Sequence, residues 1–118
     1  MAEPSFGKRI KELRTQQRLT QRELAAQVAI DAGYISKIEA EKVPPPSEKV
    51  IERLALALGT DKDELMVLAG RAPKDLEPII THDIRIPAIL RRARGLSPQD
   101  WEQVESYIEQ LKASKRER

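Results

Sequence analysis

Six cations stand between Lys8 and Arg22: Lys8, Arg9, Lys11, Arg14, Arg18 and Arg22, against a single acid, Glu12. Charges of one sign crowded onto one short element can hold a polyanion, through Coulomb attraction and displacement of its counterions. The same run fits a solvated helix face equally well. Residues 1–70 carry 11 basic and 11 acidic side chains, so the excess is local. Covalent and metal chemistry is poorly supplied. Cysteine is absent, which removes a disulfide scaffold, a thiol nucleophile and a thiolate zinc site. The single histidine, His82, has Asp83 beside it but no second ligand cluster, and reads as a surface residue. The five glycines are scattered singly, with no phosphate-cradling loop among them. Pro44-Pro45-Pro46 is too short for a polyproline ligand. No enzymatic activity, metal or cofactor is expected.

The elements that must position the cations follow from composition and pattern. A chain of 118 residues is the size of one domain plus an appendage. Apolar residues make up 40% and aromatics only 3%, so the core must be built from Leu, Ile, Val and Ala. That suits small packed helices better than a β-sandwich. No stretch approaches the ~20 apolar residues of a membrane helix. Met1-Ala2-Glu3-Pro4 has neither the basic nor the apolar region of a secretory signal, so a cytoplasmic location is expected.

Helix signals recur along the chain and strand alternation does not. Ser5 is placed to cap a first helix, with Phe6, Ile10 and Leu13 at helical spacing, running to about Gln17. Thr20-Gln21-Arg22-Glu23 is a capping box, flanked by a Leu19–Leu24 hydrophobic staple, and predicts a second helix over 21–28. Asp31 caps a third, Ala32 to Glu41, with Ile30 and Ile35 as its staple; Pro44 forbids its extension. Ser47 caps a fourth, with Val50, Ile51, Leu54, Ala55 and Leu58 inward and Gly59 at its end. Asp61 caps a fifth, with Glu64 at its third position and Leu65 and Leu68 inward, closed by Gly70. Only Ala29 and Ile30 separate Val28 from the next cap. So short a join cannot lay two helices antiparallel. It suits a steep crossing that thrusts the third helix outward, the helix-turn-helix geometry in which that helix enters the DNA major groove.

Arg14, then Leu19-Thr20-Gln21-Arg22-Glu23-Leu24-Ala25, then Tyr34-Ile35-Ser36-Lys37-Ile38-Glu39 carry a joint pattern that, with the two later helices, spans about 65 residues. In this pattern residues 6–70 resemble the Cro/cI-like (XRE-type) helix-turn-helix regulators. The resemblance implies an all-α fold with a five-helix lambda-repressor-like DNA-binding domain over 5–70; the residues after it read as a small helical C-terminal module over 71–114 and a frayed tail over 115–118. It implies a small residue at Ala25 where two helices approach, and a structural ion pair between Arg14 and Glu39. Two positions depart from the family pattern. Ala29 stands in the turn where glycine is frequent. An alanine at positive φ costs on the order of 1 kcal/mol, so a slightly different turn is expected. Ala40-Glu41 replaces a glycine after the third helix, so a longer exit is expected there.

The resemblance also assigns contacts to double-stranded DNA. Gln21, at the start of the second helix, would meet a phosphate with its amide and the helix N-terminus; otherwise it is a surface residue. Ala32, Gly33, Ser36 and Lys37 fall on the exposed side of the third helix. Lys37 suits guanine O6/N7, Ser36 either base type, and Ala32 a thymine methyl. Tyr34 would stack on the sugar-phosphate, or else pack beneath Pro44–Pro46. Arg22 and Lys42 would bind phosphates, while Arg9, Lys11 and Arg18 are read as solvated charges that add only to the field.

Beyond residue 70, Pro73, Pro78 and Pro87 break the chain into short pieces. Ile79, Ile80, Ile84, Ile86, Ile89 and Leu90 are too apolar for a free linker, so a covering surface is expected. Arg91-Arg92-Ala93-Arg94-Gly95 ends a short helix. Ser97-Pro98-Gln99-Asp100 opens the last one with a capping serine, a first-turn proline and an acid. Inside it Trp101, Val104, Ile108 and Leu111, with Tyr107 beside them, form a narrow apolar seam on a charged helix. Self-association through this seam is expected, with packing on the first domain as the alternative. The expected function is a homodimeric, sequence-specific repressor reading a pseudo-palindromic operator through the helix from Ala32 to Glu41. Besides a head that has lost DNA binding, which small Ala32 and Gly33 at the reading positions keep open, two other readings stand. One is an antitoxin-type protein whose last helix binds a regulatory partner. The other rests on a resemblance of Leu90–Leu111 to repressors inactivated by a zinc metallopeptidase, with Leu90–Arg94 as the cleaved region.

Overall fold

The computed structural model describes residues 3–116. Among them are eight α-helices and no strand: α1 (Phe6–Gln16), α2 (Gln21–Val28), α3 (Ala32–Glu39), α4 (Glu48–Leu58), α5 (Lys62–Leu68), α6 (Glu77–Ile80), α7 (Arg85–Arg92) and α8 (Pro98–Arg116), with a short 3-10 turn at Lys74–Leu76 before α6. The chain divides into two units, Met1–Leu76 and Glu77–Arg118.

The first unit has one core. Phe6, Ile10 and Leu13 of α1, Leu24, Ala25 and Val28 of α2, Ile35 and Ile38 of α3, Ile51, Leu54, Ala55 and Leu58 of α4, and Leu65 and Met66 of α5 are all buried. Met66 lies in the core and Leu68 only half-buried, where the sequence pattern had placed Leu68 inward. The unit carries on past Gly70 because Arg71 donates to the Pro45 carbonyl at 2.7 Å and to that of Pro46, while the Lys74 backbone N–H reaches Glu48 Oε1 at 3.1 Å. Those bonds hold the proline segment against the bundle.

All five helices of this unit end in one backbone device. An N–H two or three residues past the helix reaches back to a carbonyl five residues earlier: Leu19 to Arg14, Ile30 to Ala25, Lys42 to Lys37, Thr60 to Ala55 and Arg71 to Met66. The closing residue must be left-handed. Gly59 and Gly70 fill that role in α4 and α5, but Arg18, Ala29 and Glu41 fill it in α1, α2 and α3, with φ of 58°, 62° and 59°. The sequence-based expectation of a different turn at Ala29 and a longer exit at Glu41 is therefore overturned. The chain keeps the tight geometry and accepts an L-residue in it. As a result α3 stops at Glu39 and not Glu41, and α1 at Gln16.

Two expected caps also differ. Ser5 and Asp31 stand at the N-cap positions of α1 and α3, yet neither side chain bonds to the helix. The Ser5 hydroxyl has no partner among the described residues. Asp61 caps α5 through the Asp63 N–H, which frees Glu64 for other bonds.

In the second unit no described residue is buried. Ser97 and Asp100 form a reciprocal cap on α8, with bonds of 2.9 and 3.1 Å. That helix continues through Lys115 and Arg116; Glu117 and Arg118 of the expected frayed tail lie outside the described residues. The apolar residues of this unit are covered only in part. Ile79, Ile84, Ile89 and Leu90 are exposed, and Ile80 and Ile86 are half-buried. No described helix is long and apolar enough to cross a membrane.

Candidate nucleic-acid interface

α2 is fixed at both ends. At its start the Thr20 hydroxyl accepts from the Glu23 N–H, and the Thr20 N–H donates to the Glu23 carboxylate, both at 3.0 Å. The Thr20 backbone N–H, with the Thr20 side chain second, holds the Glu23 carboxyl below its ordinary range. At its end Arg53 donates to the Val28 carbonyl at 3.0 Å, satisfying an acceptor that the helix leaves open. Buried Ala25, with no bulk beyond Cβ, lets α3 come close.

α3 is fixed by burial on one side and an ion pair at its end. Ile35 and Ile38 are buried. Arg14 makes a two-pronged bond to Glu39, Nε to Oε2 at 2.7 Å and Nη2 to Oε1 at 3.0 Å, and also donates to the Leu19 carbonyl at 2.8 Å. The Glu39 side chain is only 4% exposed and that of Arg14 12%, so the pair is largely withdrawn from water. The hydrogen bond to Glu39 raises the Arg14 pKa further. Three helices thus meet at one carboxylate, because the Gln21 amide also donates to Glu39 Oε1, at 3.1 Å.

Gly7 secures the same joint, and sequence reasoning passed over it. It is buried in α1, and a Cβ there would collide with the Ile38 carbonyl oxygen and stand 3.1 Å from that of Glu39. Only glycine lets α1 lie this close to the end of α3. A lone glycine within a helical pattern, where alanine is the better helix former, was the available signal.

With one side buried, the other side of α3 is set. Gly33, Ser36, Lys37 and Ala40 are exposed at helical spacing, and Ala32 and Tyr34 are half-buried. Ala40 extends this face by one turn beyond the residues singled out from sequence. Ala32 and Tyr34 both pack against the core cluster, so Ala32 stands less open than the exposed position expected from sequence. Arg22, Lys37 and Lys42 are exposed, and their side chains make no ion pair among the described residues. The structure therefore separates two groups of polar side chains. Arg14 and Gln21 hold the frame, while Arg22, Lys37 and Lys42 stand open. Arg9, read from sequence as a solvated charge, belongs to the frame as well. Its Nε donates to Glu64 Oε1 at 2.7 Å and its Nη1 to Glu12 at 3.2 Å.

Such a face has little side-chain bulk of its own. A rod carrying Gly, Ser and Ala, with one lysine, can press its backbone against a groove floor. Among the described residues no group of three His, Cys, Asp or Glu side chains could hold a metal ion.

Known proteins align with this arrangement. Residues 5–68 match the helix-turn-helix domain family. The HTH-type transcriptional regulator RghRB of Bacillus subtilis (strain 168) is 30% identical over 132 aligned positions, covering 96% of this chain and 95% of that protein. The HTH-type transcriptional repressor RghR of the same organism is 31% identical, covering 88% of each. Among solved structures, the SinR/SinI protein complex matches 92% of this chain and 98% of the compared chain, with a TM-score of 0.51 and 22% identity, a likeness of fold alone. SinR, the master regulator for biofilm formation, in its crystal structure with DNA matches 52% of this chain and 97% of that chain, with a TM-score of 0.49 and 28% identity. Both Bacillus relatives are HTH-type transcriptional regulators. With the domain match covering more than half of its length and the Bacillus relatives aligned along most of it, the chain belongs to the helix-turn-helix family of DNA-binding transcriptional regulators.

Proposed function

We propose that this regulator is a homodimeric repressor that reads a pseudo-palindromic operator with one α3 per half-site. In this reading residues 5–70 bind DNA and residues 71–114 pair two copies. The observation that carries it is the exposed, unencumbered face of α3, Gly33-Ser36-Lys37, backed by buried Ile35 and Ile38 and flanked by open Arg22 and Lys42. Lys37 donates to guanine O6 or N7, Ser36 to a neighbouring base edge, and Ala32 meets a thymine methyl. Gly33 admits the backbone to the groove. Arg22 and Lys42 take phosphates, and Tyr34 lies along the sugar-phosphate wall. Gln21 offers a phosphate the second N–H of its amide, the first being engaged by Glu39, together with the N-terminus of α2. The similarity to the repressor RghR supports repression as the outcome.

Two copies are called for by the seam on α8. Trp101, Val104, Tyr107, Ile108 and Leu111 are between 36% and 61% exposed on a 19-residue helix. A seam of that length left in water is costly. Half-site centres about 34–36 Å apart then follow from the symmetry of a dimer on B-DNA. The test is selection of bound fragments from the source genome, followed by titration of the best fragment with the unaltered chain and with Lys37→Ala. A loss of roughly 1–3 kcal/mol for Lys37→Ala, concentrated at one base position, is expected. Equal affinity for both proteins, or no palindromy in the selected fragments, overturns the reading.

The same exposed seam favours a second reading, in which α8 binds a different protein, as in an antitoxin-type or peptidase-controlled regulator. A stable hetero-complex that abolishes self-association would select it over the homodimer.

A further inference from the structure

Arg91, Arg92 and Arg94 close α7 and the segment after it. All three are exposed, and their side chains make no hydrogen bond or ion pair among the described residues. Arg85, at the other end of the helix, is already engaged: its Nη2 donates to Asp83 Oδ2 at 2.5 Å and its Nε to Oδ1 at 3.0 Å. No acidic residue occurs from Ile84 through Gln99. In the first unit Arg18 and Arg22 are also open, but the other four guanidinium groups are engaged. Arg9, Arg14, Arg53 and Arg71 each have a protein acceptor.

The spacing on α7 sorts its side chains. Ile86, Ile89, Leu90 and Ala93 share one side, Arg91 lies on the opposite one, and Arg92 stands at the edge between them. A cover over the apolar side therefore leaves Arg91 in water and meets Arg92 only at its rim. The negative end of a helix dipole accounts for basic residues in the last turn, but its influence falls off within that turn. Arg94 lies beyond it, after the Ala93 cap. Guanidinium is permanently charged and planar, and its forked donors match two oxygens of one phosphate. Three such groups within four residues, with no carboxylate to neutralise them, complement a closely spaced row of phosphates.

We propose that the arginine side of α7, with Arg94, is a second DNA contact, sequence-independent, that grips the phosphate backbone outside the base pairs read by α3. The inference rests on the DNA-binding reading of the first unit. It adds to that reading a contact that carries affinity and footprint length but no base preference.

The test uses the full chain, unaltered and as Arg91→Gln/Arg92→Gln/Arg94→Gln, on mixed-sequence duplexes of about two and about four helical turns. Affinity is measured across a salt series, with sedimentation and circular dichroism on the free proteins. The triple variant is expected to keep its helicity and self-association. On the longer duplex it should bind on the order of tenfold more weakly in low salt, with the gap closing as salt rises. The negative slope of log affinity against log salt should become shallower by up to about 0.9 for each phosphate that the variant no longer neutralises. On the shorter duplex the two proteins should differ less. An unchanged salt slope on both duplexes overturns the proposal. So does a variant that loses self-association while its slope stays unchanged, which would make the arginines a protein interface. Lys37→Ala separates the two claims, because it should reduce preference for the selected operator and leave the long-duplex advantage on mixed sequence intact. An unaltered chain that binds no duplex overturns both.

Discussion

Ala29, Arg18 and Glu41 hold a left-handed backbone that costs an L-residue about 1 kcal/mol relative to glycine. At Ala29 the side chain is exposed and has no packing role to offset that cost. Ala29→Gly should therefore raise the stability of the first unit by up to about 1 kcal/mol, less what the more flexible unfolded chain takes back. Thermal melting should show a rise approaching about 4–8 °C; a fall would mean that the strain is relieved elsewhere. Gly7 is the opposite case. Gly7→Ala inserts a Cβ against backbone atoms of α3 that cannot rotate away. A destabilisation of about 1–3 kcal/mol is expected, with weakened DNA binding at temperatures where the protein remains folded. Glu39→Ala leaves the Arg14 guanidinium largely out of water with one remaining acceptor and removes the Gln21 bond. A loss of roughly 3 kcal/mol is expected in chemical denaturation.

At the scale of elements, several joints close on a carboxylate. Glu64, at the start of α5, is held below the ordinary carboxyl value first by the Thr60 hydroxyl and then by Arg9 of α1. Glu48 of α4 is lowered by Lys62 of α5 and by the Lys74 N–H. Glu23 is lowered by its own capping box. For a group whose pKa is depressed by folding, the stabilisation is present above the unfolded value and lost as pH falls through the folded one. The unfolded value here is near 4.5. The melting temperature should therefore be flat near neutrality and decline as pH falls below about 4.5. A melting series in matched ionic strength checks this. Glu64→Gln should flatten part of the decline; a decline unchanged in that variant would assign the effect to the other carboxylates.

Across the whole molecule, the two units solve the burial problem differently. The first gathers apolar side chains from all five helices into one buried core, leaving Leu56 and Val67 outside it, and the second buries none of its described residues fully. Ile108→Glu on α8 places a charge in the middle of the seam while leaving the core of the first unit untouched. The expected outcome is a shift toward monomer in sedimentation and at least roughly tenfold weaker operator binding, since paired half-sites add avidity. A monomeric unaltered protein with the same operator affinity would remove the dimer from the mechanism.

Much of this was legible in the residues themselves. Thr20-Gln21-Arg22-Glu23 specified where α2 begins, because a capping box is a local exchange of hydrogen bonds. Pro44 limited α3 through its own ring, and the periodic Ile and Leu positions named most of the core. Local sequence failed where the deciding partner lies far along the chain. Arg9 and Arg14 are both cations on one short helix; the resemblance named Arg14 and Glu39 as a structural pair, and only the bond from α1 to Glu64 of α5 showed Arg9 to be structural too. Gly7 and Ala29 depend on backbone geometry that tertiary packing imposes, through the missing Cβ in the first case and against the preference of the residue in the second. The sequence by itself determined the helices and their order, since caps, turns and periodicity act within a few residues. Which charges are consumed in holding the frame, and which remain open on α3 and α7, was decided only by the tertiary structure. A charge is neutralised by what stands beside it in space, and that neighbour can be 25 or 55 residues away.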